Sequence, residues 1–436
     1  MAFRDIRKSR KVISGEELRL LILLLLALVG LFALNLYLAR VLPGRELLFQ
    51  RWIGARAFLV EKIEPYGAKV AQEVQLLAYN GRLAYSSEYP YALSDPFFIV
   101  LLYTPLVVLR EGVNLIIPSV AQYFNFIFVR TLWMFLSELA LIGIILQAVR
   151  LSDWAPPRWL FAGLFAFSLF GYFSLNAIAV GTPTIILTFL YLSILLALRS
   201  GYDELVGGLL SLVFYQWEVG GLFFLFVIVL VVSNRRWRVL TTFAMAMFLF
   251  LAVSFLVNPD WGLPYIRAVL SNWYRNPFLN LGSVLTVWFP ELQFNIGTFV
   301  SLGVGVIVFI EWIGAVHSHF QRIFWTACLS LAATPLVGFA IFPSNHVVLI
   351  PSIVIILALV WERWRRNQAL MTAFVLSLAV FVPFGIYYQT ALVYNRLYTD
   401  LLSVLPPLAT IVGLYWMRWW VLRSPRIWAD QLGDRK

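Results

Sequence analysis

The sequence predicts an all-α protein that crosses a membrane many times, and three observations carry that prediction. Of its 436 residues, 61% are hydrophobic and only 13% charged, with a mean hydropathy of +0.83. A soluble domain carries about 25% charged residues, so polar side chains are here too few to cover a water-facing surface. Leu20–Ala39 is a run of twenty residues without a charge, long enough to cross about 30 Å of hydrocarbon at about 1.5 Å per residue. Such runs recur, and they lack the apolar–polar alternation of outer-membrane barrel strands. A soluble globular enzyme, a disordered chain and a fibrous repeat are excluded. The one cysteine, Cys328, lies in an apolar run, so neither a disulfide framework nor a cysteine zinc cluster is available. The net charge of +11 reads as positive-inside bias and attraction to anionic headgroups. No nucleic-acid motif accompanies it, and no nucleic-acid partner is expected.

The basic segment MAFRDIRKSRKVISGEELR precedes Leu20–Ala39. It lacks a signal peptide's short apolar core and small-residue cleavage site. An uncleaved first span is expected, with the N-terminal tail (1–19) in the cytoplasm. Pro43–Ser94 is the only long polar stretch between apolar runs. Leu48, Trp52, Ala55 and Leu59 recur at helical spacing, with Arg51, Arg56 and Glu61 interleaved. That pattern predicts an amphipathic helix on the outer membrane face. Pro65-Tyr66-Gly67 ends it, Val70, Val74 and Leu77 predict a second short helix, and Asn80-Gly81 predicts a turn. A loop of this length in a compact protein is usually functional.

Further apolar runs cover Phe97–Leu109, Phe126–Val149, Trp159–Ala179, Thr184–Leu198, Leu205–Val232, Leu240–Val257, Ile296–Ile310, Ile323–Ile341, Val347–Val360, Leu370–Ile386 and Leu401–Trp416. Basic clusters at Arg235–Arg238, at Arg363–Arg366 and from Arg418 onward mark cytoplasmic ends. Either Val113–Gln122 re-enters the membrane, or Leu205–Val232 is one long broken helix rather than two. About twelve spans are expected, in a single membrane domain over 20–420 with a cytoplasmic tail over 421–436. Asn258–Asn295, Pro343–His346 and Tyr387–Asp400 are the other external stretches.

Candidate functional residues lie in the first loop and in polar interruptions of the spans. Glu46, partly desolvated at a membrane surface, suits a general base, although the helix dipole alone also favours an acid in a first turn. Arg51 and Arg56 have the forked geometry that holds phosphate oxygens, or they snorkel to headgroups. Tyr85, Tyr89 and Tyr91 stand just before a span, where tyrosines belt the interface or stack on a sugar ring. Asp95 either caps the helix after Pro96 or faces a cavity beside Glu46. Arg130, Glu138, Gln216 and Glu218 interrupt apolar runs, where polar groups are costly and functional suspects. Arg130 and Glu138 also suit a structural pair bridged by water or a third group. His317 and His319 point apart on a helix, which disfavours one shared metal. His346 approaches a span from outside, as a phosphate or metal contact or as an interface residue. Asp260, Arg267 and Arg275 form a second external patch. No P-loop, dinucleotide fingerprint, nucleophile elbow or zinc helix is present. No cofactor is expected and no metal is indicated; an enzyme of this kind needs a substrate already activated and already in the membrane.

One span, an external loop that opens with an acid, and then many spans resembles the plan of the GT-C glycosyltransferases. Within them the chain resembles glycosyltransferase family 87, the bacterial polyprenol-phosphate-mannose-dependent type. GRELLFQRWIGARAFLVEKIEPY is similar to the family's segment from an aspartate to a Pro-Tyr, with Glu46 at the acid position and Tyr66 at the end. YPYALSDPFFIVLLYTPL, with Tyr89, Tyr91, Tyr103 and Pro105, resembles the approach to its second span. The stretch from Asn176 through the Gly-rich run to Arg235-Arg236-Trp237-Arg238 is similar as well. The chain departs from the family in its glutamate for aspartate, in Gly181-Thr182 for Gly-Gln, and in lacking a lysine near Gln216. The resemblance spans Pro43 to Arg366. It implies a GT-C-like fold and a glycosyltransferase that moves a sugar, mannose in that family, with inversion. The donor is a polyprenyl-phosphate sugar, and the acceptor is a lipid or glycan at the extracytoplasmic face. Glu46, or Asp95, would take the acceptor proton, and Arg51, Arg56 or His346 would neutralise the leaving phosphate. Tyr66, Tyr89, Tyr91, Tyr103, Gln216 and Glu218 would hold sugar or acceptor. A transporter or flippase of lipid-linked sugars, or a non-catalytic assembly subunit, is the alternative.

Overall fold

The computed structural model describes residues 15–85, 88–117, 119, 125–275, 279–291, 296–364, 366–393 and 396–422. The basic tail up to residue 14, Arg365 and residues 423–436 lie outside them. Among the described residues every regular element is helical. In chain order these are α1 (Gly15–Val41), α2 (Glu46–Arg56), α3 (Ala68–Ala78), α4 (Phe97–Ile116), α5 (Phe126–Leu151), α6 (Arg158–Phe170), α7 (Tyr172–Val180), α8 (Thr184–Ser200) and α9 (Asp203–Val213). They continue as α10 (Trp217–Ser233), α11 (Trp237–Val257), α12 (Gly262–Arg275), α13 (Leu281–Trp288), α14 (Ile296–Ala315), α15 (Phe320–Ala333), α16 (Ile350–Arg363), α17 (Gln368–Val393) and α18 (Arg396–Leu422). Nine helical segments among the described residues are long and apolar enough to cross a membrane, and two more, α8 and α10, are apolar but shorter. The protein is therefore a polytopic helical membrane protein. Met245, Phe248, Phe299 and Phe381 lie exposed on α11, α14 and α17, as lipid-facing side chains do.

Side-chain contacts sort the helix ends into two chemically different faces. At one, Arg199 pairs with Asp153 at 2.8 Å, Arg418 Nε donates to Glu311 at 2.8 Å, and Asn234 Nδ2 donates to the Val316 carbonyl at 3.0 Å. The last two lie at the start of the basic stretch from Arg418 onward and beside the Arg235–Arg238 cluster. At the other face lie the first loop and the segment after α11, joined where Asn272 Nδ2 donates to the Ala92 carbonyl at 2.8 Å.

The Leu205–Val232 run resolves into two helices. Arg236 pairs with Asp203 and donates from Nη1 to the Leu198 carbonyl at 3.0 Å. The α9–α10 hairpin thus leaves the basic face and returns to it. Eleven residues rise about 16 Å, roughly half the hydrocarbon thickness, so the Tyr215–Glu218 tip ends inside the bundle. Helix α10 is broken again at Gly220 (φ −145°, ψ 28°). Irregular backbone at such depth is tolerated where protein or a polar cavity surrounds it. The Trp159–Ala179 run also breaks, at Gly171, between α6 and α7. The Phe97 run extends to Ile116 and takes up Val113, whereas residues 118 and 120–122 of the re-entrant reading lie outside the described residues.

The first loop has an apolar core of its own. Leu48, Trp52, Ile53, Val70, Val74 and Leu93 pack with Phe97, Phe98 and Trp261. This corrects the amphipathic reading of α2. Leu48 and every residue from Gln50 to Ala55 are buried, so the helix buries all sides instead of lying on a membrane surface. Its sequence mixes apolar residues with arginines, and the arginines find partners inside. The expected short helix over Val70–Leu77 is present as α3. The Pro343–His346 stretch, expected as an external turn, starts a 3₁₀ segment (Pro343–Leu349) that buries Ser344 and His346.

Arg130 fastens the loop to the bundle. Its guanidinium donates to the carbonyls of Ala39, Leu42, Pro43 and Ala179 at 2.9–3.0 Å. Those oxygens are at or just past the C-terminal ends of α1 and α7, where carbonyls lack helical partners and the helix dipole is negative. One buried cation thereby caps two helices. Gly44 (φ +90°) allows the same approach, because a Cβ there would lie 2.7 Å from the Ala179 oxygen. Gly181 (φ +77°) does likewise, with Leu48 Cβ at 2.6 Å. Arg130→Met leaves four carbonyls without this donor and is expected to cost about 3–5 kcal/mol. Thermal unfolding in detergent micelles reads this loss. Arg56→Met, on the partly exposed rim, changes the midpoint little.

Candidate functional site

Helix α2 carries Arg51 on its inner side, and the extended segment before α4 carries Asp95. Arg51 Nε lies 2.8 Å from Asp95 Oδ2, and Nη2 donates to Oδ1 at 3.3 Å. Both side chains are only 7% exposed. Arg51 Nη1 also donates to the Leu47 carbonyl at 3.0 Å. Burial opposes the guanidinium charge, but Asp95, Tyr103 and Tyr215 together outweigh it, and the arginine stays charged. Tyr66 OH donates to the Asp95 backbone carbonyl at 2.9 Å, and Gln50 Nε2 donates to the Ala92 carbonyl at 2.8 Å. The acid is therefore held by its side chain and by its backbone.

Tyr89, Tyr103, Tyr215 and Glu218 lie within electrostatic reach of this pair. Tyr215, at the tip of the α9–α10 hairpin, packs on both the loop core and the membrane core. Two opposed elements meet here, the loop folded inward from one face and the hairpin rising from the other. Burial pushes the Tyr66 and Tyr89 phenols up, with Asp95 adding at Tyr66 and Glu218 adding at Tyr89. Both remain neutral hydrogen-bonding groups.

The other expected site residues are distributed around this cluster. Glu46 is half-buried in the first turn of α2, near Arg130 and Tyr91, whose phenol is pushed up by burial and then by Glu46. Neither Glu46 nor Glu218 lies within ion-pair distance of a cation among the described residues. Gln216 is half-buried at the hairpin tip. Arg56 turns away from Arg51, 3.5 Å from Glu61 and 5.8 Å from the Trp52 ring. His346 is buried, with Nε2 2.7 Å from the Ser403 carbonyl and its ring edge-on to Phe173. It lines a small cavity with Glu218 and Asn345. Thr184 Oγ1 donates to Asn345 Oδ1 at 2.7 Å and contacts Thr182 Oγ1 at 2.8 Å. Arg130 and Glu138 do not pair. Arg130 takes the carbonyls described above, and Glu138 accepts from Asn35 Nδ2 at 2.7 Å.

Sequence reasoning missed Tyr215, Gln50 and Asn272. Tyr215 had a signal, since Tyr215-Gln216-Trp217-Glu218 is one polar interruption of an apolar run. Gln50 and Asn272 had none, because their shared acceptor, the Ala92 carbonyl, is distant in sequence from both. No group of three or more metal-ligating His, Cys, Asp or Glu side chains occurs among the described residues. No protein-family model matches this chain, and no curated protein matches it.

Proposed function

We propose that this protein is an integral membrane glycosyltransferase of GT-C type that uses a polyprenyl-phosphate sugar. The observation that supports this reading best is the Arg51–Asp95 pair among Tyr66, Tyr89, Tyr103 and Glu218, inside a lipid-embedded bundle. A buried guanidinium suits a phosphate, and phenols and carboxylates suit sugar hydroxyls. The surrounding helices suit a prenyl tail, which is held at about 0.8 kcal/mol per buried CH₂.

In this reaction a carboxylate takes the acceptor hydroxyl's proton. The freed oxygen pair attacks the anomeric carbon from the side opposite the phosphate. The carbon–phosphate oxygen bond breaks, its electron pair leaves with the polyprenyl phosphate, and configuration inverts. Arg51 offsets the charge that develops on the leaving group. The Asp95 charge is already compensated by Arg51, so Glu46 is the better base. It stands five residues before Arg51 on α2, about 7.5 Å along the axis. The loop face is extracytoplasmic in this reading and the basic face cytoplasmic.

Purified protein in lipid nanodiscs, supplied with radiolabelled polyprenyl-phosphate mannose and a membrane-extract acceptor, tests the reaction. Glu46→Gln is expected to lower turnover by about 10²–10⁴-fold. Near-normal turnover in Glu46→Gln, with an Asp95→Asn variant that is inactive although still folded by its gel-filtration profile, would move the base to Asp95. Full activity in both would end the general-base mechanism. Orientation is read with a membrane-impermeant thiol reagent on intact cells, since native Cys328 is 1% exposed. Lys69→Cys should label and Ser233→Cys should not; the reverse pattern would invert the topology.

A further inference from the structure

We propose that the cleft between the first loop and α12 binds a neutral glycan, the acceptor of the transfer reaction; the cleft is seen directly, and its role as acceptor site rests on the glycosyltransferase reading. The cleft holds about 550 Å³ between α3, residues 83–85 and 88–92, and α12, within the usual range for a ligand site. Its polar groups include Glu64, Tyr66, Gln72, Tyr85, Arg267 and Ser271, and small residues such as Ala68, Ala71 and Ala268 form its walls. Small walls let a hydroxyl-bearing ring approach, while the interleaved polar groups make it a poor seat for a prenyl tail.

Charge selects the class of ligand. Glu88 lines the cleft but is held by both Arg82 Nη atoms at 2.6 Å. Among the described residues the remaining charged lining is one acid, Glu64, and one base, Arg267. Phosphate sites gather arginines, and this cleft does not. Asn258 and the Tyr66 backbone engage the Glu64 carboxylate. Burial pushes the Glu64 carboxyl up, offset in part by these bonds.

Two features tie the cleft to the reaction. Tyr66 lines it while its hydroxyl donates to the Asp95 carbonyl at 2.9 Å, so one side chain separates a ligand here from the Arg51–Asp95 pair. The wall is also preformed. Gln75 donates to the Pro90 carbonyl at 2.7 Å and accepts from the Ala84 N–H at 3.1 Å, and Tyr79 OH donates to the Tyr89 carbonyl at 3.0 Å. A rigid wall lowers the entropy lost on binding.

Saturation-transfer NMR on the full chain in nanodiscs tests this, with mannotriose as the neutral probe and mannose 6-phosphate as the anionic one. Wild type should bind mannotriose in preference to mannose 6-phosphate. Gln72→Ala, an exposed and structurally mild change, should weaken mannotriose by about 3- to 10-fold, the loss of one hydrogen bond. Ala71→Trp should fill the cleft and abolish the signal. Failure of wild type to bind mannotriose would overturn the proposal. So would binding that neither cleft substitution alters, or a preference for mannose 6-phosphate. Mannotriose binding without any sugar transfer would keep the glycan site and reject the glycosyltransferase reading.

Discussion

A guanidinium and a carboxylate buried together at one end of an apolar bundle constrain everything around them. Arg51 or Asp95 alone would be an uncompensated charge in a medium of low polarity, at a cost of several kcal/mol. Together they need close geometry and neighbours that satisfy the remaining donors and acceptors. The Leu47 carbonyl supplies one such acceptor to Arg51, and Tyr66 binds the Asp95 carbonyl. Those contacts require α2 to be packed on all sides, which is why the first loop has its own apolar core. The hairpin tip completes the surroundings from the other face, with Tyr215 lying against both cores.

Arg130 applies the same physics at a helix boundary. Where α1 and α7 end inside the structure, carbonyl oxygens would be left without donors. A single guanidinium serves four of them and fixes the loop's starting point against the Gly181 turn. The two arginines have different roles. Arg130 is held by neutral carbonyls and is structural. Arg51 is balanced by an acid.

The spans were largely legible in the sequence because an uninterrupted apolar run of membrane length fits few structures besides a span. Helix α3 was legible from Val70 and Val74 at helical spacing. The burial of α2 was not, since interleaved arginines look alike whether they face headgroups or a buried acid 44 residues away. The Leu205–Val232 run was ambiguous because composition does not record direction; the Arg236–Asp203 contact, which shows the hairpin returning, is tertiary. Both members of the candidate site's ion pair were singled out, one as a phosphate ligand and the other as a cap or cavity acid. Their pairing was invisible for the same reason that the false Arg130–Glu138 pairing looked plausible. Spacing along one helix says little about partners on another. His346 was read as an external contact because proline and asparagine surround it, yet the Ser403 carbonyl and Phe173 enclose it.

The dependence of the loop on its buried pair is tested most directly by a double-mutant cycle. Arg51→Met, Asp95→Leu and the combined variant would be compared by reversible unfolding in detergent micelles. Each single substitution strands one buried charge and should cost about 3–5 kcal/mol. The double substitution removes both charges and should cost less than either single one. Losses that simply add, or single variants as stable as the parent, would contradict a structure organised around Arg51 and Asp95.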